Sequence, residues 1–220
     1  EKNGVDMIGI GLPYSDPLAD GPTIQESSTI AIENGMTTSL LFEQLKDIRE
    51  SVQIPLIIMG YFNPMMQFGM EKFCQKCAEV GIDGLIIPDL PLFVYETEYK
   101  AIFEKYNLKN IFLISPQTSV ERIQQIDAIS DSFIYMVSSA AVTGSQSGFG
   151  AEQMDYFKRI ADLNLKNPQI VGFGIKDEET FQQATKHQKG AIIGSAFINF
   201  LKENPIEKTY SFTNYLIKKC

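Results

Sequence analysis

Seven short apolar runs, at 7–12, 55–60, 84–88, 110–114, 133–137, 169–172 and 190–194, recur along the chain. Stretches of helical length with one apolar face lie between most of them: Ser39 to Arg49, Met70 to Val80, Tyr95 to Tyr106, Val120 to Ile129, Gln153 to Leu163 and Glu178 to Lys186. Strands that are apolar throughout, alternating with amphipathic helices, need a parallel sheet covered on both faces. Repeats of about 20 to 30 residues with no break in composition predict a single domain over 1–220, an α/β chain of the (β/α)8 barrel class. Such a barrel takes eight strands and seven are legible. Lys2-Asn3-Gly4 reads as the last turn of a helix and its stop. The expectation is therefore that the first βα unit is missing from this chain. The connection from Tyr14 to about Pro55 is expected to hold two helices instead of one.

Composition narrows the function classes. With 44% hydrophobic and 21% charged residues the chain reads as an ordinary soluble domain. A net charge of −8 argues against nucleic acid or an anionic membrane as partner. No run reaches the roughly 18 apolar residues of a spanning helix, and no secretory leader pattern opens the sequence. Cys74 and Cys77 have CxxC spacing, but no second pair exists and the only histidine, His187, is far away in sequence. They read as two small core residues on one helical face beside Phe73 and Val80, with no metal site expected. Three cysteines without a disulfide framework suit a reducing cytoplasm. A lone histidine in a polar stretch also excludes Ser-His-Asp and Cys-His mechanisms.

Three late loops carry glycine: Val142-Thr143-Gly144-Ser145, Gly172-Phe173-Gly174, and Gly194-Ser195, which opens a short apolar helix. Glycine lets the backbone approach an anion, and a helix N-terminus aims free N–H groups at it. Any one of these loops could be only a tight turn. A pair following the last two strands of a barrel is a recurrent phosphate site. No GxxxxGK[ST] run occurs, so a nucleotide P-loop is not indicated.

The most specific stretch begins within the first apolar run and continues past it: Gly9-Ile10-Gly11-Leu12-Pro13-Tyr14-Ser15-Asp16-Pro17-Leu18-Ala19-Asp20-Gly21-Pro22-Thr23. From Leu12 to Gln25 it resembles the signature of the tryptophan synthase alpha subunit. Asn63, Pro88-Asp89-Leu90-Pro91, Ser115-Pro116, Val142-Thr143-Gly144, Gly172-Phe173-Gly174 and Gly194-Ser195 follow in the family's order, so the resemblance covers essentially the whole chain. It implies a carbon–carbon lyase of tryptophan biosynthesis, cleaving indole-3-glycerol phosphate to indole and glyceraldehyde 3-phosphate by a retro-aldol reaction. It also implies about 40 further residues before Glu1, consistent with a whole barrel near 250.

The resemblance implies roles residue by residue. Asp20 matches the aspartate that faces the indole N–H, although Asp before Gly-Pro also serves as a turn or helix cap. Gly144, Gly172, Gly174, Gly194 and Ser195 match the phosphate-holding positions. Thr143 belongs to a loop that closes over substrate, in which Ala141 stands where the family usually has glycine. Tyr61 and Phe173 match positions near the indole or glycerol-phosphate pocket and read at least as well as core packing. Tyr135 matches an active-site tyrosine that hydrogen-bonds the family's catalytic glutamate, or reads as an ordinary barrel-interior aromatic. Asp16, Pro17 and Leu18 match a loop that contacts the beta subunit of an alpha2beta2 complex. No cofactor is implied for this chain, since pyridoxal phosphate belongs to the beta partner.

One position departs. The family's proton-shuttling glutamate stands where this chain has Gly9. Glycine moves no proton, and loss of a general acid–base group typically costs about 10² to 10⁴ in rate. Lyase activity is therefore expected to be impaired. Asp83 and Asp89 flank the run at 84–88; both read as loop hydrogen-bonding groups, with Asp89 the first substitute for the missing carboxylate. Two alternatives stand beside the enzyme: a non-catalytic partner that activates the beta subunit, and another phosphate-binding barrel such as an isomerase. The latter explains the late glycine loops but not the Ser15–Pro22 run.

Overall fold

The computed structural model describes residues 1–138 and 148–216, and the chain divides into two compact units, 1–111 and 112–220. In the first, β1 (Ile8–Gly11) leads through the Pro13–Gly21 loop to α1 (Pro22–Glu33) and α2 (Thr38–Gln44). Then come β2 (Leu56–Met59), α3 (Phe62–Phe68), α4 (Met70–Val80) and β3 (Gly84–Ile86). A short α5 (Leu92–Val94) passes through a π-helical turn at Tyr95–Tyr99 into α6 (Lys100–Lys105), and β4 (Lys109–Ile111) closes the unit. The four strands pair in parallel in the order β1-β2-β3-β4, with Gly9, Ile57, Gly84 and Lys109 in one row.

Local sequence explains these elements. Along α4, Met70, Phe73, Cys74, Cys77 and Val80 recur every three or four residues and are all buried. The two cysteines sit there as packing residues, with no exposed surface, and burial pushes the Cys74 thiol up to about 12. Gly81 ends α4 at φ 84°, the left-handed conformation that glycine supplies at a helix C-terminus. Against it packs Arg49, whose guanidinium donates to the carbonyls of Gly81, Val52 and Ile54 and pairs with Asp83. Asp83 also accepts the Leu56 N–H at 2.8 Å. It therefore ties the starts of β2 and β3, at the end of the sheet opposite the Pro13–Gly21 loop.

The second unit holds β5 (Leu113–Ile114), α7 (Val120–Ile129), β6 (Ile134–Val137), α8 (Ala151–Asp162), β7 (Gln169–Gly172), α9 (Glu178–Thr185), β8 (Gly190–Ile192), α10 (Ser195–Glu203) and α11 (Thr209–Leu216). Its strands are again parallel, in the order β5-β6-β7-β8. Ser119 caps α7, and Asp177 with Thr180 forms a capping box at α9. The centre of the unit is Ile114, Ile123, Ile134, Met136, Phe157, Ile160 and Val171.

All seven apolar runs form strands, and the two helices expected after Tyr14 are α1 and α2. The run 110–114 becomes two strands: β4 pairs with β3 and β5 with β6, and the ladder breaks at Phe112. α2 stops at Gln44, short of the helix expected to Arg49; a separate 3₁₀ turn follows at Ile48–Glu50. The helix expected from Tyr95 begins three residues earlier, at α5, directly after Pro91, whose fixed φ suits a helix start. α3 and α11 lie outside the stretches that the sequence predicts as helical. Among the described residues no helix is long and apolar enough to cross a membrane.

Candidate functional site

In the first unit the candidate residues lie beyond the carboxyl ends of β1, β2 and β3. Leu12 N–H bonds the Met59 carbonyl at 2.8 Å and Gly60 N–H bonds that of Ile86 at 3.0 Å. A β-carbon at Gly60 would lie 2.8 Å from that of Leu12, so glycine is what lets the two chain segments pass. Tyr61 follows, 8% exposed. Its hydroxyl donates to Asp20 Oδ2 at 3.0 Å and accepts the Ala19 N–H at 2.9 Å. Burial raises the Asp20 carboxyl above its ordinary range, and the Tyr61 hydrogen bond opposes that rise. Burial and the Asp20 carboxylate both raise the Tyr61 phenol, with a lesser contribution from Asp89. Asp20 and Tyr61 are thus brought together as one hydrogen-bonded pair.

The rest of the loop is a tight turn, with Leu18 N–H on the Asp16 carbonyl at 2.9 Å and Asp20 N–H on that of Pro17 at 3.1 Å. Pro17 is buried and Asp16 is exposed. Leu18 projects outward, 90% exposed. Gln25, at the start of α1, donates to the Asp20 carbonyl at 2.8 Å, which anchors the turn to the helix. Asp89 accepts the Phe62 N–H at 2.8 Å, so it acts at least as a loop-bonding group at the start of α3.

Gly9 lies in β1 opposite Ile57. Its backbone is not in the left-handed region, and a β-carbon there meets nothing within 4 Å. Neither packing nor conformation requires glycine at this position.

In the second unit, β7 and β8 pair with Gly172 opposite Ile192, so the Gly172–Gly174 and Gly194–Ser195 loops leave neighbouring strands at one level. Gly172 has a steric reason of its own: a β-carbon there would sit 1.9 Å from the Tyr135 hydroxyl oxygen. Phe173 has φ 68°, rare for a residue with a side chain, and Gly174 follows at φ 77°. The buried Ser138 donates its hydroxyl to the Phe173 carbonyl at 2.8 Å, and the Phe173 ring meets that of Tyr135 edge-on at 6.2 Å. Gly194 precedes α10, whose first-turn N–H groups start at Ser195. Thr143 and Gly144 lie outside the described residues.

Sequence reasoning assigned no role to Tyr14, Asn63 or Ser138. The first two stand beside Tyr61: the Tyr14 ring lies 5.3 Å from that of Tyr61, and Asn63 Nδ2 is 3.4 Å from the Tyr14 hydroxyl. A tyrosine at the head of the loop that ends in Asp20 was the available signal.

Comparison with known proteins agrees over the whole length. The sequence model of the family "Tryptophan synthase alpha chain" matches residues 1–219. The tryptophan synthase alpha chain of Flavobacterium johnsoniae is 73% identical over 212 residues, covering 96% of this chain and 84% of the relative. That of Flavobacterium psychrophilum is 69% identical over 214 residues, covering 97% and 85%. Among solved structures, the tryptophan synthase A-subunit of Pyrococcus furiosus matches at 30% identity and TM-score 0.87, covering 97% of this chain and 86% of that one. Subunit alpha from Legionella pneumophila matches at 29% and 0.86, covering 99% and 82%. The likeness bears out the α/β barrel class. With its parallel βα order, its Asp20–Tyr61 pair and a sequence match from residue 1 to 219, the chain belongs to the tryptophan synthase alpha chain family.

Proposed function

We propose that the chain serves tryptophan biosynthesis as the alpha component of tryptophan synthase, a carbon–carbon lyase that takes indole-3-glycerol phosphate. The carrying observation is the Asp20–Tyr61 pair. A half-buried carboxylate held by a phenol O–H is suited to accept the indole N–H and stabilise positive charge developing on that ring. Gly172, Phe173, Gly174, Gly194, Ser195 and Gly144 supply the phosphate subsite, Tyr135 lines the substrate's path, and Thr143 belongs to the closing loop. Support comes from the level exits of the β7 and β8 loops and from the first-turn N–H groups of α10, whose N-cap, Gly194, has no side chain to cap them. The reaction breaks the bond between indole C3 and the side chain. C3 gains a proton, the adjoining hydroxyl loses one, and the glycerol fragment leaves as an aldehyde. No cofactor enters these steps.

Gly9 leaves the proton transfer without its carboxylate, so intrinsic lyase turnover is impaired, by about 10² to 10⁴. A second reading, favoured by Leu18 at 90% exposure beside that loss, is a non-catalytic partner that docks on and activates the beta subunit through Asp16, Pro17 and Leu18. The complex is alpha2beta2 and the setting cytoplasmic. Indole release from indole-3-glycerol phosphate by the chain and its Gly9→Glu variant tests the assignment. The reading stands if the glutamate form is faster by about 10² or more. It falls if both are folded and neither releases indole; activation of a beta subunit by a chain that binds but does not cleave would then support the partner role.

A further inference from the structure

Tyr61 holds Asp20, and something must hold Tyr61. Its ring leaves the end of β2 beside Gly60, which provides no side chain to brace it. The Pro13–Gly21 loop returns to the same ring twice. At the loop's head the Tyr14 ring packs on Tyr61, centroids 5.3 Å apart and planes at 37°. At its tail Ala19 N–H and Asp20 Oδ2 bond the Tyr61 hydroxyl at 2.9 and 3.0 Å. The Tyr14 hydroxyl lies 3.4 Å from Asn63 Nδ2, near the start of α3, a second and weaker attachment to the segment that carries Tyr61. The α3 entrance is itself fixed by Asp89 on the Phe62 N–H at 2.8 Å. The loop therefore encloses the Tyr61 ring between an aromatic contact at one end and two hydrogen bonds at the other.

We infer that Tyr14 is a positioning residue for Asp20, acting through the Tyr61 ring, with Asn63 its anchor on α3. Tyr14 touches neither Asp20 nor, in this assignment, the reacting atoms. It fixes the tilt of the Tyr61 ring and hence the direction in which the phenol presents its O–H to the carboxylate. An aromatic contact of this kind is worth a factor of about two to twelve in a local equilibrium. The inference rests on the reading of Asp20 as the residue that meets the indole, and its test separates the two.

The first measurement needs no ligand. Amide hydrogen exchange at Ala19 reports the bond to the Tyr61 hydroxyl, and Tyr61→Phe, which deletes that acceptor, gives the upper limit of its loss. Tyr14→Ala is expected to speed Ala19 exchange about two- to twelvefold. Tyr14→Phe should restore most of the protection because it keeps the ring, and Asn63→Ala should match Tyr14→Phe. Tyr14→Leu substitutes where the alanine form fails to fold. Ala19 exchange at the wild-type rate in Tyr14→Ala or Tyr14→Leu overturns the inference.

The second measurement is binding of a non-cleavable probe, an indole bearing a propyl phosphate chain, by calorimetry. Tyr14→Ala should weaken it by the factor seen in exchange, and Asp20→Asn by more. Faster exchange with unchanged probe affinity overturns the link to Asp20. Equal affinity of wild type and Asp20→Asn overturns the reading of Asp20 itself, whatever the exchange shows.

Discussion

The hydroxyl oxygen of Tyr135 stands 1.9 Å from the point where a β-carbon on Gly172 would lie, and the ring carbon bearing it 2.1 Å. The two residues sit on adjacent parallel strands, β6 and β7, with Tyr135 opposite Ile170 and Gly172 opposite Val137. The glycine in Gly172-Phe173-Gly174 is thus required by a neighbouring side chain, independently of any anion. Tyr135 is 3% exposed, so its ring has little room to retreat.

Gly172→Ala should therefore destabilise the chain by about 1 to 3 kcal/mol, the usual cost of an added methyl in a packed site. Thermal or denaturant unfolding measures it. Tyr135→Ala alone should also destabilise, by opening a cavity. The double variant should cost less than the sum, because the added methyl then enters vacated space. Strict additivity would show that the two positions do not meet.

Gly9→Glu is the reverse case. With open space around the new β-carbon and no left-handed backbone, the substitution should leave the unfolding midpoint close to that of the parent. Indole release should rise by about 10² to 10⁴. A folded Gly9→Glu protein without this gain would show that another group moves the proton.

Asp20 gives a pH dependence whose sign follows from its raised carboxyl. The folded state holds that proton more tightly than the unfolded chain does. Stability is therefore lost as pH rises from the unfolded value near 3.8 through the higher folded one, and the penalty is complete above both. Asp20→Asn removes this penalty, so its unfolding midpoint relative to the parent should improve as pH rises from about 4 through the raised folded value. Tyr61→Phe deletes the hydrogen bond that opposes the shift, so it should move the titration further upward. Equal pH profiles for parent and Asp20→Asn would exclude this account.

Much of this was legible in the sequence, for definite reasons. The mostly buried strands β2, β3, β6 and β7 read as plain apolar runs, whereas β1 and β8, also apolar runs in sequence, are not buried. α4 and α7 keep a helical period, and the bounds of these two helices fall where the sequence puts them. Asp20 was singled out only through the resemblance of its loop to the family signature, and what the structure adds is its bond from the Tyr61 hydroxyl. The split at Phe112 was not, since a continuous apolar run says nothing about which partner each half will pair with. The Tyr14–Tyr61 contact joins positions 47 residues apart and depends on how a loop folds back, which leaves no periodic trace. The reason for Gly172 was hidden for the same cause: in sequence it is a glycine in a GxG, and only the β6–β7 register brings Tyr135 onto it.

Arg49 makes the strongest case for a single residue that holds the first unit together. Its guanidinium donates to Gly81 at 2.8 and 2.5 Å, to Ile54 at 2.7 Å and to Val52 at 3.2 Å, and it pairs with Asp83. These groups end α4 and begin β2 and β3, so one planar fork joins the 3₁₀ turn, a helix terminus and two strand starts. The ion pair itself is partly exposed and contributes little on its own. The carbonyls matter more: removing the fork leaves several part-buried acceptors without a donor, at about 1 to 3 kcal/mol for each one that water cannot reach. Arg49→Ala should therefore cost about 2 to 4 kcal/mol in urea unfolding. Arg49→Lys should recover only a minor part, because an ammonium has the charge but not the planar spread of donors. Asp83→Asn, which keeps an acceptor for Leu56 N–H and removes only the charge, should cost less than either. If Arg49→Lys is as stable as the parent, the charge and not the fork sustains this junction.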